Sequence, residues 1–148
     1  MDKFVERQEV LKLLNAPTPE ERLANLAILI GGEKEKPEVK LLVNAAGFGK
    51  FGSFEKIPIE DEARMIDLNC KALLVMTRLT LPYMPAGSHI LQLDSLSAFQ
   101  PVPYITTYGA TKAFVLSYTR AMNQELKGKG VRMMAMNPGW VKTEFFNH

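Results

Sequence analysis

The 148-residue sequence is poor in the residues that build covalent staples and metal cages: it has one cysteine, one tryptophan and two histidines. Cys70 alone cannot close an intrachain disulfide and offers too few thiolates for a structural zinc site, which points to a reducing compartment. A membrane helix needs roughly 18–20 consecutive apolar residues, and no run in the chain is that long. Met1-Asp2-Lys3-Phe4-Val5-Glu6-Arg7 lacks the apolar stretch of a secretory signal, so the protein reads as cytoplasmic. A large excess of one charge is missing too. The formal net charge is +2, and Lys34, Lys36 and Lys40 alternate with Glu33, Glu35 and Glu38 as a mixed, solvated surface. Nothing here could neutralise a phosphate backbone over many contacts, so nucleic-acid binding is not expected. What remains is 47% hydrophobic and 23% charged, the balance of one soluble domain with one core.

Thr18-Pro19-Glu20-Glu21 is a helix start: Thr18 can cap free amides, Pro19 suits the first helical position and Glu21 completes a capping box, with the helix running to about Gly31. Upstream, Val10 to Leu14 is short and apolar and is read as a strand. Val39 to Asn44, between a Pro-marked and a Gly-rich loop, has the length and β-branched content of a buried strand. From Glu60 to Leu81 the residues Met65, Leu68, Ala72, Val75 and Leu79 fall at helical spacing until Pro82 ends the pattern. Ile66, Leu73, Leu74 and Met76 make this helix apolar on further faces. His89 to Leu93 reads as a strand, Tyr108 to Lys127 as a helix closed by Gly128 or Gly130, and Val131 to Met136 as a last strand. Strands alternating with helices predict an α/β fold with a parallel sheet and right-handed crossovers.

Gly47-Phe48-Gly49-Lys50-Phe51-Gly52 has the G-x-G-x-x-G spacing of a dinucleotide phosphate loop. That motif must lead from a strand directly into a helix, with an acid about 20 residues on at the end of the next strand. Here Pro58 blocks an early helix, and Asp67, the acid at that distance, sits inside one. The glycines are read instead as those of a flexible loop.

Other residues carry chemistry. Tyr108 and Lys112 are four apart on a predicted helix and so share a face. An ammonium beside a phenol stabilises the phenolate and draws its pKa below about 10, towards acid–base use. Ser95 lies just past a strand end, where the ligand crevice of a parallel sheet opens, and Asn69 is an uncharged amide among apolar helical neighbours. Singly, Tyr108 and Lys112 would be a solvated pair, Ser95 a loop cap and Asn69 a core amide bonded to backbone. His89 and His148 are expected at the surface, and Met133, Met134 and Met136 as core filler.

Asn44-Ala45-Ala46-Gly47, Asn69, Ser95, Tyr108-x-x-x-Lys112 and Asn137-Pro138-Gly139-Trp140-Val141-Lys142-Thr143 stand in the order and approximate spacing of the short-chain dehydrogenase/reductase family, which the sequence resembles from about residue 10 to 145. The resemblance implies a Rossmann-like parallel sheet with flanking helices and hydride transfer between NADP or NAD and a small-molecule carbonyl or alcohol. It makes Tyr108 the general acid or base and Lys112 the group that tunes it and holds the nicotinamide ribose. Ser95 would orient the substrate oxygen, and Asn69 would anchor a water leading protons from Lys112 to solvent. Asn44, Ala45, Ala46 and Gly47 would border the adenosine side of the cofactor, and Pro138, Gly139, Val141 and Thr143 the nicotinamide. The apolar helix faces at 65–79 and 114–126 resemble the family's helical dimer interface, implying a homodimer or homotetramer.

Two departures qualify these expectations. The family's opening strand and Thr-Gly-x-x-x-Gly-x-Gly turn have no counterpart, nor has its substrate-covering segment beyond the Pro-Gly loop, so residues 1–148 read as a partial dinucleotide-binding domain, incomplete at both ends, that carries the catalytic half. The alternative is a catalytically silent truncated paralogue or fragment that cannot bind cofactor alone. Such a sheet would also lack the helices of one face. Asp94 stands where the family commonly has Ser or another small residue, placing a charge next to Ser95.

Overall fold

A computed structural model describes residues 38–139. The chain divides into two units, Met1–Glu38 and Val39–His148, and the described residues after Glu38 belong to the second. The strand at 10–14, the helix at 18–31 and the positions Val141 and Thr143 lie outside the described residues.

Among the described residues three strands form a parallel sheet in the order β1 (Leu41–Asn44), β2 (His89–Leu93), β3 (Arg132–Met136). Each pair is joined by helix, as parallel pairing requires. Between β1 and β2 run α1 (Ile59–Ile66), a π-helical segment (Asp67–Ala72) and α2 (Leu73–Thr80) without a break. Glu60, Asp61 and Glu62 place negative charge in the first turn of α1, where the helix dipole favours it. Between β2 and β3 lies α3 (Thr106–Glu125), followed by a 3-10 turn, Leu126–Lys129. These spans agree with the sequence expectation to within a few residues.

Period two along the strands gives the sheet two faces. One carries Leu42, Ile90 and Met133 onto a core shared with Met84, Met122, Leu126 and Val131, beneath α2 and α3. A polar cluster shares this face. Thr77 of α2, fully buried, accepts from Asn44 Nδ2 at 3.1 Å and Gln92 Nε2 at 3.0 Å, and Asn44 Nδ2 also donates to Gln92 Oε1 at 2.9 Å. The other face presents Leu41, Val43, Met134 and Met136, all between 47% and 62% exposed. Of the methionines expected in the core, Met133 is there, while Met134 and Met136 stand on the open face.

The long helix buries a different set from the one its apolar spacing suggests. Met65, Asn69, Leu73 and Thr77 point inward, every fourth residue, while Leu68, Ala72, Val75 and Leu79 are half-buried. A repeat of four exceeds the 3.6 residues of an α-turn. The π segment, with its wider i→i+5 turn, supplies the difference.

Gly130 ends the 3-10 turn with φ 68°, in the left-handed region, and a Cβ there would lie 2.9 Å from that of Ala86. Gly130→Ala therefore combines backbone strain with a clash. A loss of about 1–3 kcal/mol is expected in urea unfolding at unchanged m.

Candidate active site

The carboxyl ends of β1 and β2, and the helix that follows each, bring Asn69, Ser95, Tyr108 and Lys112 to one region. Thr106–Glu125 is continuous helix, so Tyr108 and Lys112 lie one turn apart on one face, and Lys112 Nζ sits 5.7 Å from the centroid of the Tyr108 ring. Lys112 is 5% exposed, and its ammonium donates to Leu93 O at 2.7 Å, reaching back to the last residue of β2. Ser95, two residues on, hydrogen-bonds the Tyr108 phenol. Its Oγ also caps the short turn Leu96–Ala98, accepting from Ser97 N at 3.2 Å and from Ser97 Oγ at 2.9 Å. Cap and site partner are thus the same hydroxyl.

Asn69 comes from the π segment and is 2% exposed. Its Oδ1 accepts from Phe48 N at 3.1 Å, and its Nδ2 donates to Phe48 O at 2.9 Å and to Thr111 Oγ1 at 3.1 Å. Thr111 in turn donates to Tyr108 O at 2.7 Å, so one amide ties the loop after β1 to the first turns of α3. Gly47 makes this approach feasible. A Cβ at that position would stand 2.9 Å from Asn69 Oδ1 and 4.0 Å from Lys112 Nζ. No helix follows β1 before Ile59, so Gly47, Gly49 and Gly52 belong to a loop, as expected.

Burial controls the site's acid–base behaviour. It pushes the Lys112 ammonium below its usual range, opposed by the negative charge of Asp94 and by Cys70. It raises the Tyr108 phenol, with the Ser95 hydrogen bond lowering it and Asp94 raising it further. The sequence expectation was a depressed phenol; in this chain loss of water around the ring outweighs the local donors, so Tyr108 is held protonated at neutral pH.

The remaining residues divide between frame and rim. Asn44 turns its side chain under the sheet to Thr77 and Gln92, leaving only its backbone near the crevice. Ala45 and Ala46 are exposed and Gly47 half-buried. Pro138 O accepts from Leu96 N at 3.3 Å, which seats the Pro138-Gly139 turn against the Ser95 loop. Reading residue types one at a time missed two connections: the bridge from Thr111 to Asn69, and a 2.6 Å bond from Asn137 Nδ2 to Asp94 Oδ2. The signal for the second was present as an acid directly before a site serine. Among the described residues there is no group of three or more His, Cys, Asp or Glu that could hold a metal ion, and no helix long and apolar enough to cross a membrane.

The described residues fit the nicotinamide-ribose end of a dinucleotide by their donor set: an ammonium, a phenol and a hydroxyl meet beside exposed backbone at Ala45, Ala46 and Gly139. They include no glycine-rich strand-to-helix turn for a pyrophosphate.

Comparison with known proteins places the chain among short-chain dehydrogenases. The NADP-dependent 3-hydroxy acid dehydrogenase YdfG of Escherichia coli O6:H1 is 37% identical over 141 residues, 93% of this chain and 54% of that protein. Sulfoacetaldehyde reductase 2 of Chromohalobacter salexigens is 38% identical over 111 residues, 72% of this chain and 44% of that one. A short-chain dehydrogenase from Sphingobium yanoikuyae, solved in complex with NADPH, superposes with a TM-score of 0.73 at 29% identity, over 88% of this chain and 50% of that one. The chain spans about half the length of the curated relatives it matches. The short chain dehydrogenase family model matches residues 24–148, and the chain belongs to that family.

Proposed function

We propose that this chain carries the catalytic half of a dinucleotide-binding domain and catalyses hydride transfer between NADP or NAD and a small-molecule carbonyl/alcohol pair, with Tyr108 as general acid and base. The observation that carries the reading is the convergence of the Ser95 hydroxyl, the Tyr108 phenol and the Lys112 ammonium in one crevice. A bound nicotinamide supplies the hydride chemistry itself. The residues do the rest. Ser95 donates to the substrate carbonyl oxygen and fixes its direction, and Tyr108 gives that oxygen a proton as negative charge develops on it. Lys112 holds positive charge beside the phenol, stabilises the phenolate left behind and offers its remaining N–H donors to ribose hydroxyls. Asn69 holds the loop after β1 in place and anchors the water that returns a proton towards Lys112. Backbone at residues 44–47 borders the adenosine side and Pro138 and Gly139 the nicotinamide side, a role the resemblance extends to Val141 and Thr143, outside the described residues. The names of the E. coli and Sphingobium relatives favour NADP over NAD. Ile66, Leu74 and Phe114, each 36% exposed or more, suit a homodimer or homotetramer joined along the helices.

A second reading is a catalytically silent chain that cannot bind cofactor alone; what favours it is that the described residues include no glycine-rich strand-to-helix turn for a pyrophosphate. Titrating NADPH fluorescence against the purified chain separates the two. Micromolar affinity, about −8 kcal/mol of binding, is expected and rules out the silent reading; no saturation up to millimolar chain overturns the enzymatic one.

A further inference from the structure

Asp94 stands between the two loops that form the site, and it is 2% exposed. Its backbone N–H donates to Met136 O at 2.8 Å, carrying the β2–β3 pairing one residue past the strand. Its Oδ2 accepts from Asn137 Nδ2 at 2.6 Å, and that same nitrogen donates to Ser95 O at 3.2 Å. Its Oδ1 is fully buried and has no hydrogen-bond partner. A buried carboxylate oxygen without a partner is costly when charged, so this group does not serve the fold as a neutral side chain of the same shape would.

We propose that Asp94 is a positioning residue: an anionic latch that, through Asn137, joins the turn after β3 to the loop after β2 and sets where Pro138 and Gly139 stand relative to Ser95. The inference rests on the hydride-transfer reading for its consequence, though the latch itself is a property of the chain. A charge-assisted bond is shorter and stronger than its neutral counterpart, and 2.6 Å is short for an N–H donor. Protonation leaves Oδ2 able to accept but removes the charge, so it slackens the latch without breaking it. The same charge faces the proton-transferring groups. Among the described residues, from α3 it meets Lys112, Arg120 and the Tyr108 phenol, from the β3 side the uncharged Asn137, and from its own loop the Ser95 backbone. Ionised, Asp94 adds a little to the opposition that burial already sets against ionisation of Tyr108. The phenol stays protonated whether or not Asp94 carries its proton, so what changes when Asp94 takes one up is the latch and the charge facing Lys112.

Burial pushes Asp94 from its ordinary 3.8 up to about 6, with Asn137, Lys112, the Ser95 backbone and Arg120 all pulling it down. Between those two values the unfolded chain has released the proton and the folded chain has kept it. Stability therefore falls as pH rises through that window and is level above it, a change of roughly 100-fold in the folding equilibrium.

The test compares the full-length wild type with Asp94→Asn, which keeps an oxygen for Asn137 and removes the charge, by three measurements. The first follows the Asn137 side-chain amide resonances by NMR between about pH 4 and 8. The expected result is one titration centred near 6 in the wild type, absent from Asp94→Asn; a flat response, or the same response in both chains, overturns the latch. The second is thermal melting over the same range, where the wild type should lose stability from pH 4 to 6 and Asp94→Asn should not, melting higher at pH 7. Parallel curves overturn the assignment. The third is the pH profile of kcat/KM for carbonyl reduction, in which a step near pH 6 should vanish in the variant. Profiles of the same shape reduce Asp94 to a structural group and overturn its positioning role. Absence of turnover in both chains would count against the hydride-transfer reading, while the first two measurements still decide the latch.

Discussion

Tyr108→Phe is expected to lower carbonyl-dependent oxidation of reduced cofactor by about 10²–10⁴-fold, the usual worth of one general acid. The ring, its place against Lys112 and the course of α3 are unchanged by losing one oxygen, so the thermal melt should stay where it was. Because burial lifts the phenol above its ordinary range, the two directions of the reaction should respond differently to pH. Reduction needs the protonated phenol and should not lose activity through Tyr108 until strongly alkaline pH; oxidation needs the phenolate and should keep rising into that range. Steady-state rates for a panel of ketones and alcohols between pH 6 and 10 test both points. A phenylalanine variant with the wild-type rate in either direction would remove Tyr108 from the chemistry.

Asn69→Ala separates framework from chemistry in the opposite sense. The amide satisfies both backbone groups of Phe48 and reaches Thr111, and it does so while 2% exposed. Truncation leaves those partners without the amide that matched them. A loss of about 2–4 kcal/mol of stability is expected from two or three orphaned groups, read by urea unfolding. Asn69→Asp keeps the acceptor for Phe48 N but loses both donations and turns a buried carboxylate oxygen towards Phe48 O, so it should be no more stable than alanine. An alanine variant as stable as the wild type would mean that the loop after β1 is held by something other than this amide.

The parts of the molecule legible from sequence are those set by local rules. Strands at 39–44, 89–93 and 131–136 announce themselves by β-branched and apolar runs between Gly and Pro, and α3 by a regular pattern ending near Gly130. Tyr108 and Lys112 follow from helix geometry once the helix is granted. What stayed hidden depends on contacts between distant segments. The inward face of the long helix departs from the apolar spacing because its repeat is four rather than 3.6, and nothing in Asp67-Leu68-Asn69-Cys70-Lys71-Ala72 marks the π turn. Asn44 belongs to a motif at the crevice, yet its side chain follows the strand's alternation to the opposite side, where Gln92 and Thr77 wait for it. The direction of the Tyr108 shift is not legible in the sequence, where the neighbouring lysine is visible and the loss of solvent is not.

The π turn has a consequence for how this segment can vary. Eight residues separate Asn69 from Thr77, and at uniform α pitch they would lie about 80° apart around the axis. A rod that laid Thr77 beneath Gln92 would then turn Asn69 away from Phe48. The wider turn brings the two requirements into phase. Between Ile66 and Leu73, then, side chains facing outward can change freely, whereas gain or loss of a single position would rotate one end of the rod out of step with the other. The segment is constrained by its length more than by its composition.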